Sequence, residues 1–361
     1  MPQRGIEFAL QKGLPIFTNQ YSSLKATLKI LRVTLLSFLL LIVMSAILVN
    51  IPPVQTWLVK TVAGRLSTEL HTRVTVRSVN FSLFNKMNVN GVYVEDRSRD
   101  TLLYAGKALV KITDWFFLKD RIELKYIGLE NATIHLRRED SVWNYQFLVD
   151  YFTAPPSNKQ KKPIHLSVNE ISLKDIHLIR NDGWIGQDLA LDLGELFLKA
   201  DTIDINRKLV NIATLKLNEP VFAIHDYKGK RPKLVGPRKA PANSPFNTDG
   251  WKVLVDELTL NNGAFKSSYE VNRSPVNHFD AANIHFYAIN GVIRNAKLVQ
   301  DTLFAKMQLS TKERSGFTVN SLRAAFRFQP GAMIFDSLDI KTPFSHLTHY
   351  YAMRYNDFND D

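Results

Sequence analysis

There is no cysteine anywhere in the 361 residues. That excludes a disulfide framework and any thiolate metal site, and it is compatible with either an envelope or a cytosolic compartment. Charge is absent from Val33 to Val49, and acidic residues are absent from Phe8 to Val49. The motifs of common catalysts are also missing: no Gly-x-Ser-x-Gly elbow, no P-loop and no His-Glu-x-x-His. His135, His165, His177 and His225 sit within strand alternation and read as solvent-facing. His346 and His349, with Asp336 and Asp339 nearby, form the single cluster that hints at a metal. Two histidines three apart in a strand-and-turn segment are poor ligand geometry. The acidic pairs Glu95-Asp96 and Glu139-Asp140 read as solvated turns. The expectation is a protein that is not an enzyme and holds no metal or cofactor.

What is present is a repeat. An apolar residue, a spacer, a Leu, a spacer and an Asn, Asp or Glu recur five times. The copies are Phe81-Ser82-Leu83-Phe84-Asn85, Ile127-Gly128-Leu129-Glu130-Asn131, Ile171-Ser172-Leu173-Lys174-Asp175, Leu215-Lys216-Leu217-Asn218-Glu219 and Leu258-Thr259-Leu260-Asn261-Asn262. Their starts are 46, 44, 44 and 43 residues apart. Each copy alternates apolar with polar residues and then meets a turn-favouring residue, so each reads as a half-buried strand ending. Near-constant spacing points to one supersecondary unit used repeatedly. A looser echo follows at Leu338-Asp339-Ile340-Lys341-Thr342, which argues for variable loops and against a strict solenoid.

Residues 30–51 read as a transmembrane anchor. The uncharged run, extended by Ile30, Leu31 and Ile51, reaches the roughly 20 residues needed to cross a bilayer, and Val33, Leu36, Leu40, Val43 and Ile47 mark its length. Lys25, Lys29 and Arg32 precede it. By the positive-inside rule, residues 1–29 are then cytoplasmic and the remainder lies on the far side. A cleaved secretory signal fits less well, because Ser45-Ala46-Ile47-Leu48 is a poor cleavage site.

The formal net charge is +12. Much of it sits before the anchor and in two Pro- and Lys-rich loops, 153–163 and 227–250, whose composition reads as mobile. A solvated loop is the plain explanation, and attraction to anionic lipid head groups is the functional one. Basic residues interleaved with aromatics on a platform are lacking, so nucleic acid is not an expected partner.

Residues 52–71 read as an amphipathic helix. Pro52-Pro53 suits a helix start, and Val54, Trp57, Leu58, Val62, Leu66 and Leu70 recur at helical spacing. Such a helix either caps the end of a β array or lies in the head-group layer. From residue 72 to 361 the period changes to two, with turn signals at Asn90-Gly91, Asn181-Asp182-Gly183, Asn262-Gly263 and Asn290-Gly291. Trp143 to Phe152 reads as one short helix. The fold class is therefore mainly β: a transmembrane helix and a short amphipathic helix, then an elongated, curled antiparallel sheet of repeated hairpins. Fifteen or more strands would span on the order of 70–90 Å. One-sided alternation makes a trough whose floor is expected at Val79, Phe81, Leu83, Ile127, Leu129, Ile171, Leu173, Leu215, Leu217, Leu258 and Leu260. A trough rising from a membrane anchor suits acyl chains, each shielded CH₂ being worth about 0.8 kcal/mol.

These residues resemble a known family. The anchor, PPVQTWLVKTVAGRLS, VTVRSVNFSLFNKMNVNGVYVED and Asp100-Thr101-Leu102-Leu103-Tyr104 follow one another as in the TamB/AsmA-like family, the translocation and assembly module inner-membrane components, especially those of the Bacteroidetes type. IELKYIGLENATIHLRRED and SLDIKTPFSHLTHYYAMRYNDFND have the same character. The resemblance implies an inner-membrane-anchored periplasmic β-groove that moves phospholipid toward the outer membrane. Its alternative implication is an assembly scaffold for outer-membrane proteins that binds a barrel partner. TamB-type members are longer and meet that partner through a C-terminal region with no counterpart here, so the chain reads as a fragment or a short relative.

Overall fold

Strands twice the ordinary length, each apolar on one side, dictate a sheet whose faces differ. In the computed structural model the described residues are 32, 34–41, 44, 51–82, 86–112, 122–153, 164–165, 168–204, 207–232, 246–270 and 276–355. The chain divides into two compact units, Met1–Val54 and Gln55–Asp361. In the first, residues 34–41 are helical and exposed, with Leu36 and Leu40 at 63% and 64% exposure. Val33, Val43 and Ile47 lie outside the described residues. Among the described residues no helix is long and apolar enough to cross a membrane.

Helix α1 (Pro52–Leu70) leads into β1 (Val74–Ser82), β2 (Lys86–Glu95), β3 (Thr101–Ile112) and β4 (Ile122–Arg138). Helix α2 (Gln146–Thr153) and the short β5 (Ile164–His165) precede β6 (Glu170–Asp182), β7 (Gln187–Asp204), β8 (Leu209–Asn218) and β9 (Val221–Asp226). The chain continues with β10 (Lys252–Tyr269), β11 (Asn283–Val299) and β12 (Thr302–Glu313). It closes with β13 (Thr318–Gln329), β14 (Ala332–Lys341) and β15 (His346–Arg354). Among the described residues the fifteen strands form one sheet, and thirteen of them lie on a single path in chain order from β1 to β15, with β5 and β9 beside it.

The sheet departs from the expected run of antiparallel hairpins at two joints. β4 pairs with β6 in parallel, and β8 and β9 both pair with β10 in parallel. Parallel neighbours need a crossover of a dozen residues or more. Residues 139–169 and 227–251 supply that length here. The expected span shrinks too, since β8 and β9 lie end to end along β10 and add one step, not two. Twelve steps of roughly 4.8 Å give about 58 Å across the sheet.

Three hairpin turns are organised by buried carboxylates. Between β2 and β3, Asp96 accepts the backbone N–H groups of Ser98 and Asp100 at 2.8 and 2.9 Å and the Asn144 amide at 3.1 Å. Between β6 and β7, Asp182 takes two 2.7 Å bonds from the Arg138 guanidinium and one at 3.2 Å from Ile185 N–H. Between β12 and β13, Glu313 accepts Ser315 N–H at 2.7 Å. All three carboxylates are buried, so Asp96 is no solvated turn residue as its sequence position suggests. Glu139 and Asp140 are exposed.

Helix α1 covers the β1 edge of the sheet. Its inward stripe is Gln55, Val59, Ala63, Leu66 and Leu70, while Trp57 and Val62 are each 64% exposed. The expected stripe was rotated because it assigned large apolar residues to the core and passed over Gln55, which is buried. Ala63 and Leu70 pack with Val74, Leu102 and Phe147, the last of these from α2. The Thr56 hydroxyl meets both N–H and C=O of Val79 at 3.3 Å, and the Ser67 hydroxyl accepts Val74 N–H at 3.1 Å. Two helix hydroxyls thus occupy polar groups that an edge strand would leave open.

Two glycines give opposite expected outcomes. Gly291 sits so close to β12 that an added Cβ would lie 2.3 Å from Gln308 O and 2.6 Å from Leu309 Cα. Gly291→Ala should cost about 1–3 kcal/mol through overpacking. Gly64 on α1 has nothing within 4 Å, and Gly64→Ala should add about 0.5–1 kcal/mol. Urea unfolding midpoints of the two variants check both signs.

An apolar face as the candidate functional site

Three copies of the repeat mark bends inside strands; the Leu215–Glu219 copy closes β8 as expected, and the first copy passes the end of β1 into residues outside the described ones. Asn131, Asp175, Glu219 and Asn262, the last residues of four copies, all have φ between 51° and 53°. β4, β6 and β10 run straight through their copies, and Glu219 merely separates β8 from the collinear β9. A left-handed residue inserts one extra position, as in a β-bulge. The apolar spacing across it therefore becomes three: Leu129 to Ala132, and Leu173 to Ile176, share one face and one core cluster. Three of the four expected turns are likewise interior to strands, at Asn90-Gly91 in β2, Asn262-Gly263 in β10 and Asn290-Gly291 in β11. Only Asn181-Asp182-Gly183 turns the chain. Residues that tolerate positive φ serve turns and bulges alike.

The bends align across neighbouring strands. Arg77, Gly91, Gly106, Asn131, Asp175 and Gly194 stand opposite one another from β1 to β7, flanked by the paired positions on either side. Glycine is needed where the bend is crowded. An added Cβ at Gly106 would approach Asn131 Cβ to 3.1 Å, and one at Gly91 would meet Arg77 Cβ at 2.8 Å.

Beside this line of bends runs a rank of apolar side chains, missing only at Gly291. Taking one residue from each strand on the path, it reads Val79, Val89, Ala108, Leu129, Leu173, Leu196, Leu217, Leu260, Gly291, Leu309, Leu322, Ile340 and Leu347. A second rank two residues away reads Phe81, Met87, Val110, Ile127, Ile171, Leu198, Leu215, Leu258, Ile293 and Met307. The repeat spacing is the register of these ranks: Ile127 faces Ile171, 44 residues on, and Leu215 faces Leu258, 43 residues on.

Ten of the eleven candidate positions fall in the two ranks. Leu83 lies outside the described residues, and Phe81 is placed by its backbone register alone. The list stopped at Leu260 and so missed Leu309, Leu322, Ile340 and Leu347. The loose echo at Leu338 to Thr342 was the signal that could have extended it.

The opposite face differs in kind. The rank between the two apolar ones includes Asn80, Asn88, Ser172, Lys216, Thr259, Gln308, Arg323, Asp339 and Thr348, with Leu109, Phe197 and Val292 as its apolar side chains. A polar ladder follows the bends on this face: Lys107 binds Glu130 at 2.8 Å, Asn218 binds Glu195 at 3.1 Å and Asn261 binds Asn218 at 2.8 Å.

Most of the apolar face is not sealed. From Leu129 to Ile340 every residue of the first rank is half-buried and none is fully buried. The side chains packed against the central core cluster come from the sheet itself. Toward β15 the face becomes aromatic. Phe326 and Phe335 lie 5.0 Å apart by ring centroids, Phe335 and Tyr351 6.2 Å, and Phe246 and Phe328 5.3 Å.

The remaining candidates are dispersed. His177 and His225 are exposed and His135 is half-buried, while the His165 side chain lies outside the described residues. His346 binds Asp339 at 2.7 Å and His349 binds Thr348 at 2.7 Å. Among the described residues no three His, Cys, Asp or Glu gather as a metal site. The start of the second basic loop is held in place: Tyr227 and Lys230 donate their N–H groups to Gly186 and Gly183 at 2.8 and 2.9 Å, and Lys230 pairs with Glu139. Residues 154–163 and 233–245 lie outside the described residues. Among known proteins, no family model and no curated relative matches the chain.

Acid should weaken the joint between β4 and β6. Burial pushes the Asp182 carboxyl upward, but the Arg138 guanidinium and the Ile185 N–H outweigh it and hold the group below its ordinary range. Burial likewise opposes Glu313, and the Ser315 hydroxyl and N–H with the His285 N–H bring it down. A depressed folded value adds stability above the unfolded carboxylate range, and that stability is lost as pH falls through the folded value. Melting temperature should therefore drop below about pH 4. Asp182→Asn should lower stability at pH 7 by about 3 kcal/mol, since Arg138 loses its partner, and should flatten the acid slope. An unchanged slope in that variant would refute the assignment.

Proposed function

We propose that the chain shields the acyl chains of phospholipid on this apolar face and helps move them from the inner toward the outer membrane. On this reading residues 30–51 anchor it in the inner membrane, with the N-terminus cytoplasmic and the sheet in the periplasm. The observation that carries the reading is the thirteen-position rank, which has no polar side chain and is half-buried from Val89 to Ile340. Apolar patches of this extent on a protein surface mark binding sites. A protein ligand would bring polar backbone that needs partners, whereas an acyl chain asks only for apolar contact, at about 0.8 kcal/mol per buried CH₂. The resemblance to the TamB/AsmA-like family points the same way, as do the exposed Leu35, Leu36, Phe38, Leu39, Leu40 and Leu41. No site among the described residues suggests an energy source.

The test uses both faces of the same strands. A photo-reactive residue at Leu173 or Leu217 should crosslink to phospholipid in membranes, and one at Ser172 or Lys216 should not. Leu173→Asp should cut lipid transfer between vesicles by about tenfold or more while the protein stays folded, because an unpaired carboxylate on the rank would be costly to bury. Equal crosslinking from both faces, or normal transfer by a folded Leu173→Asp protein, would overturn the reading.

A further inference from the structure

Helix α2 lies on the apolar face itself, toward the β1 end. Its Phe147 is buried in one cluster with Val74 and Leu102, and Leu148, Tyr151, Val94 and Leu136 pack against that cluster. Leu136 follows Ala132 and Ile134 along β4 at a period of two, and Ala132 shares the central cluster with Leu129. Opposite Ile134 the same face runs on through Leu178 and Leu191 to Phe222, all half-buried. The side chains of α2 therefore sit where that face would otherwise continue.

The segment entering α2 is fastened by polar bonds. Asn144 donates its N–H to Arg137 O at 2.8 Å and accepts Arg137 N–H on its side-chain oxygen at 3.0 Å. Its amide nitrogen reaches Asp96 and His135 O, each at 3.1 Å. The far end of α2 rests on α1, where the Tyr151 hydroxyl donates to Glu69, an exposed carboxylate that Arg65 also holds at 2.9 Å. A cavity of about 540 Å³ opens between Arg97 and Ser98 of the β2–β3 turn and Phe147 and Asp150 of α2, which leaves the helix room to swing. Eight residues are too few for a helix to hold its own shape, so α2 depends on these contacts.

We propose that α2 is a movable stopper: it pivots at Asn144, parts Tyr151 from Glu69 and yields the strip of Val94 and Leu136 to an acyl chain. The proposal rests on the transfer reading and adds a regulation of the same face. An acyl chain replaces apolar contacts with apolar contacts, so no polar group of the strip loses a partner. Tyr151 and Glu69 both meet water when they part, which keeps the net cost of that bond small. A residue at the end of an element, such as Asn144, is where hinges absorb the backbone change. Lipid can shift α2 because the strip is open to it in one position of the helix and closed in the other. A closed α2 limits the acyl face to β6 and beyond, and a lifted α2 extends it across β4 toward β2.

The test reads lipid contact beneath α2 and away from it, with the full chain in membranes. A photo-reactive residue at Leu136 should crosslink to phospholipid, at a lower yield than one at Leu173. Tyr151→Phe keeps the ring and loses the hydroxyl, so it should raise the Leu136 yield about fivefold and leave the Leu173 yield unchanged. The chain has no cysteine, so Glu69→Cys and Tyr151→Cys together can be bridged selectively by a bis-methanethiosulfonate tether. The tether should abolish the Leu136 crosslink, and cutting it with reductant should restore the crosslink, a comparison made within one folded protein. Crosslinking at Leu173 with none at Leu136, tethered or cut, would show α2 to be a fixed cap and would overturn this proposal alone. A Leu136 yield that the tether leaves unchanged would overturn it as well. Silence at both positions would overturn the transfer reading, and this proposal with it.

Discussion

A long strand has to bend without turning its apolar side to the wrong face, and the sheet rests on how that is solved. β7 and β10 each run 18 residues. Because side chains alternate with a period of two, a plain one-residue slip would exchange the faces. The left-handed residues at Asn131, Asp175, Glu219 and Asn262 consume one position while keeping Leu129 with Ala132 and Leu173 with Ile176 on the same side. Three of these are Asn or Asp, which enter that conformation at small cost; Glu219 does so less readily. The bends act together because neighbouring strands bend at the same level. An isolated bulge would shift the register of its partner, and an aligned line of them preserves it.

That alignment explains why the carboxylates at the turns are buried. Once strand lengths and bends are set, each hairpin returns at a fixed place, and its backbone N–H groups need acceptors inside the protein. Asp96, Asp182 and Glu313 supply them. Asp182 also clamps β4 to β6 through Arg138, and this is the parallel joint where no hairpin connects the two strands. The guanidinium stacks on Trp143, 4.6 Å from the ring centroid, just before α2. The crossover segment is thereby tied to the strands it joins.

Much of this was legible in the residues. Alternation showed the strands, and the spacing of the Leu-centred repeat located the two ranks before their pairing was known. Its meaning was not legible, because an Asn after an alternating run is as good a turn residue as a bulge residue. Only the partner strand decides between them, and partner identity is a long-range property. The same ambiguity hid the two parallel joints. For α1, hydrophobicity misjudged the inward face: Gln55 is buried at the helix start, in the turn where Thr56 binds Val79, while Trp57 is exposed. Asp96 and Glu313 were unreadable for a related reason, since a carboxylate that accepts turn N–H groups looks no different in sequence from one in water.

The uniformity of the apolar rank has a consequence for how a ligand would behave on it. Specific small-molecule sites combine apolar walls with a few placed polar groups that fix orientation. The rank from Val79 to Leu347 has none on its own face, and its members are nearly all of one chemical type. On the proposed reading, an acyl chain at one position gains about as much as at the next, so no position traps it, and its free energy changes little along about 58 Å of sheet. Leu173→Asp would break that evenness at one point. The break in the rank is Gly291, where the backbone of β12 comes close and no side chain projects. Beyond it the surrounding face becomes richer in aromatics, with Phe326, Phe335 and Tyr351 in contact across β13, β14 and β15. Flat rings offer an acyl chain a stiffer and larger contact surface than Leu does. Rings are not confined to that end, since Phe222 and Phe265 stack 6.1 Å apart across β9 and β10 and Phe147 packs beside Leu102 near β1, so stiffer contacts recur along the face.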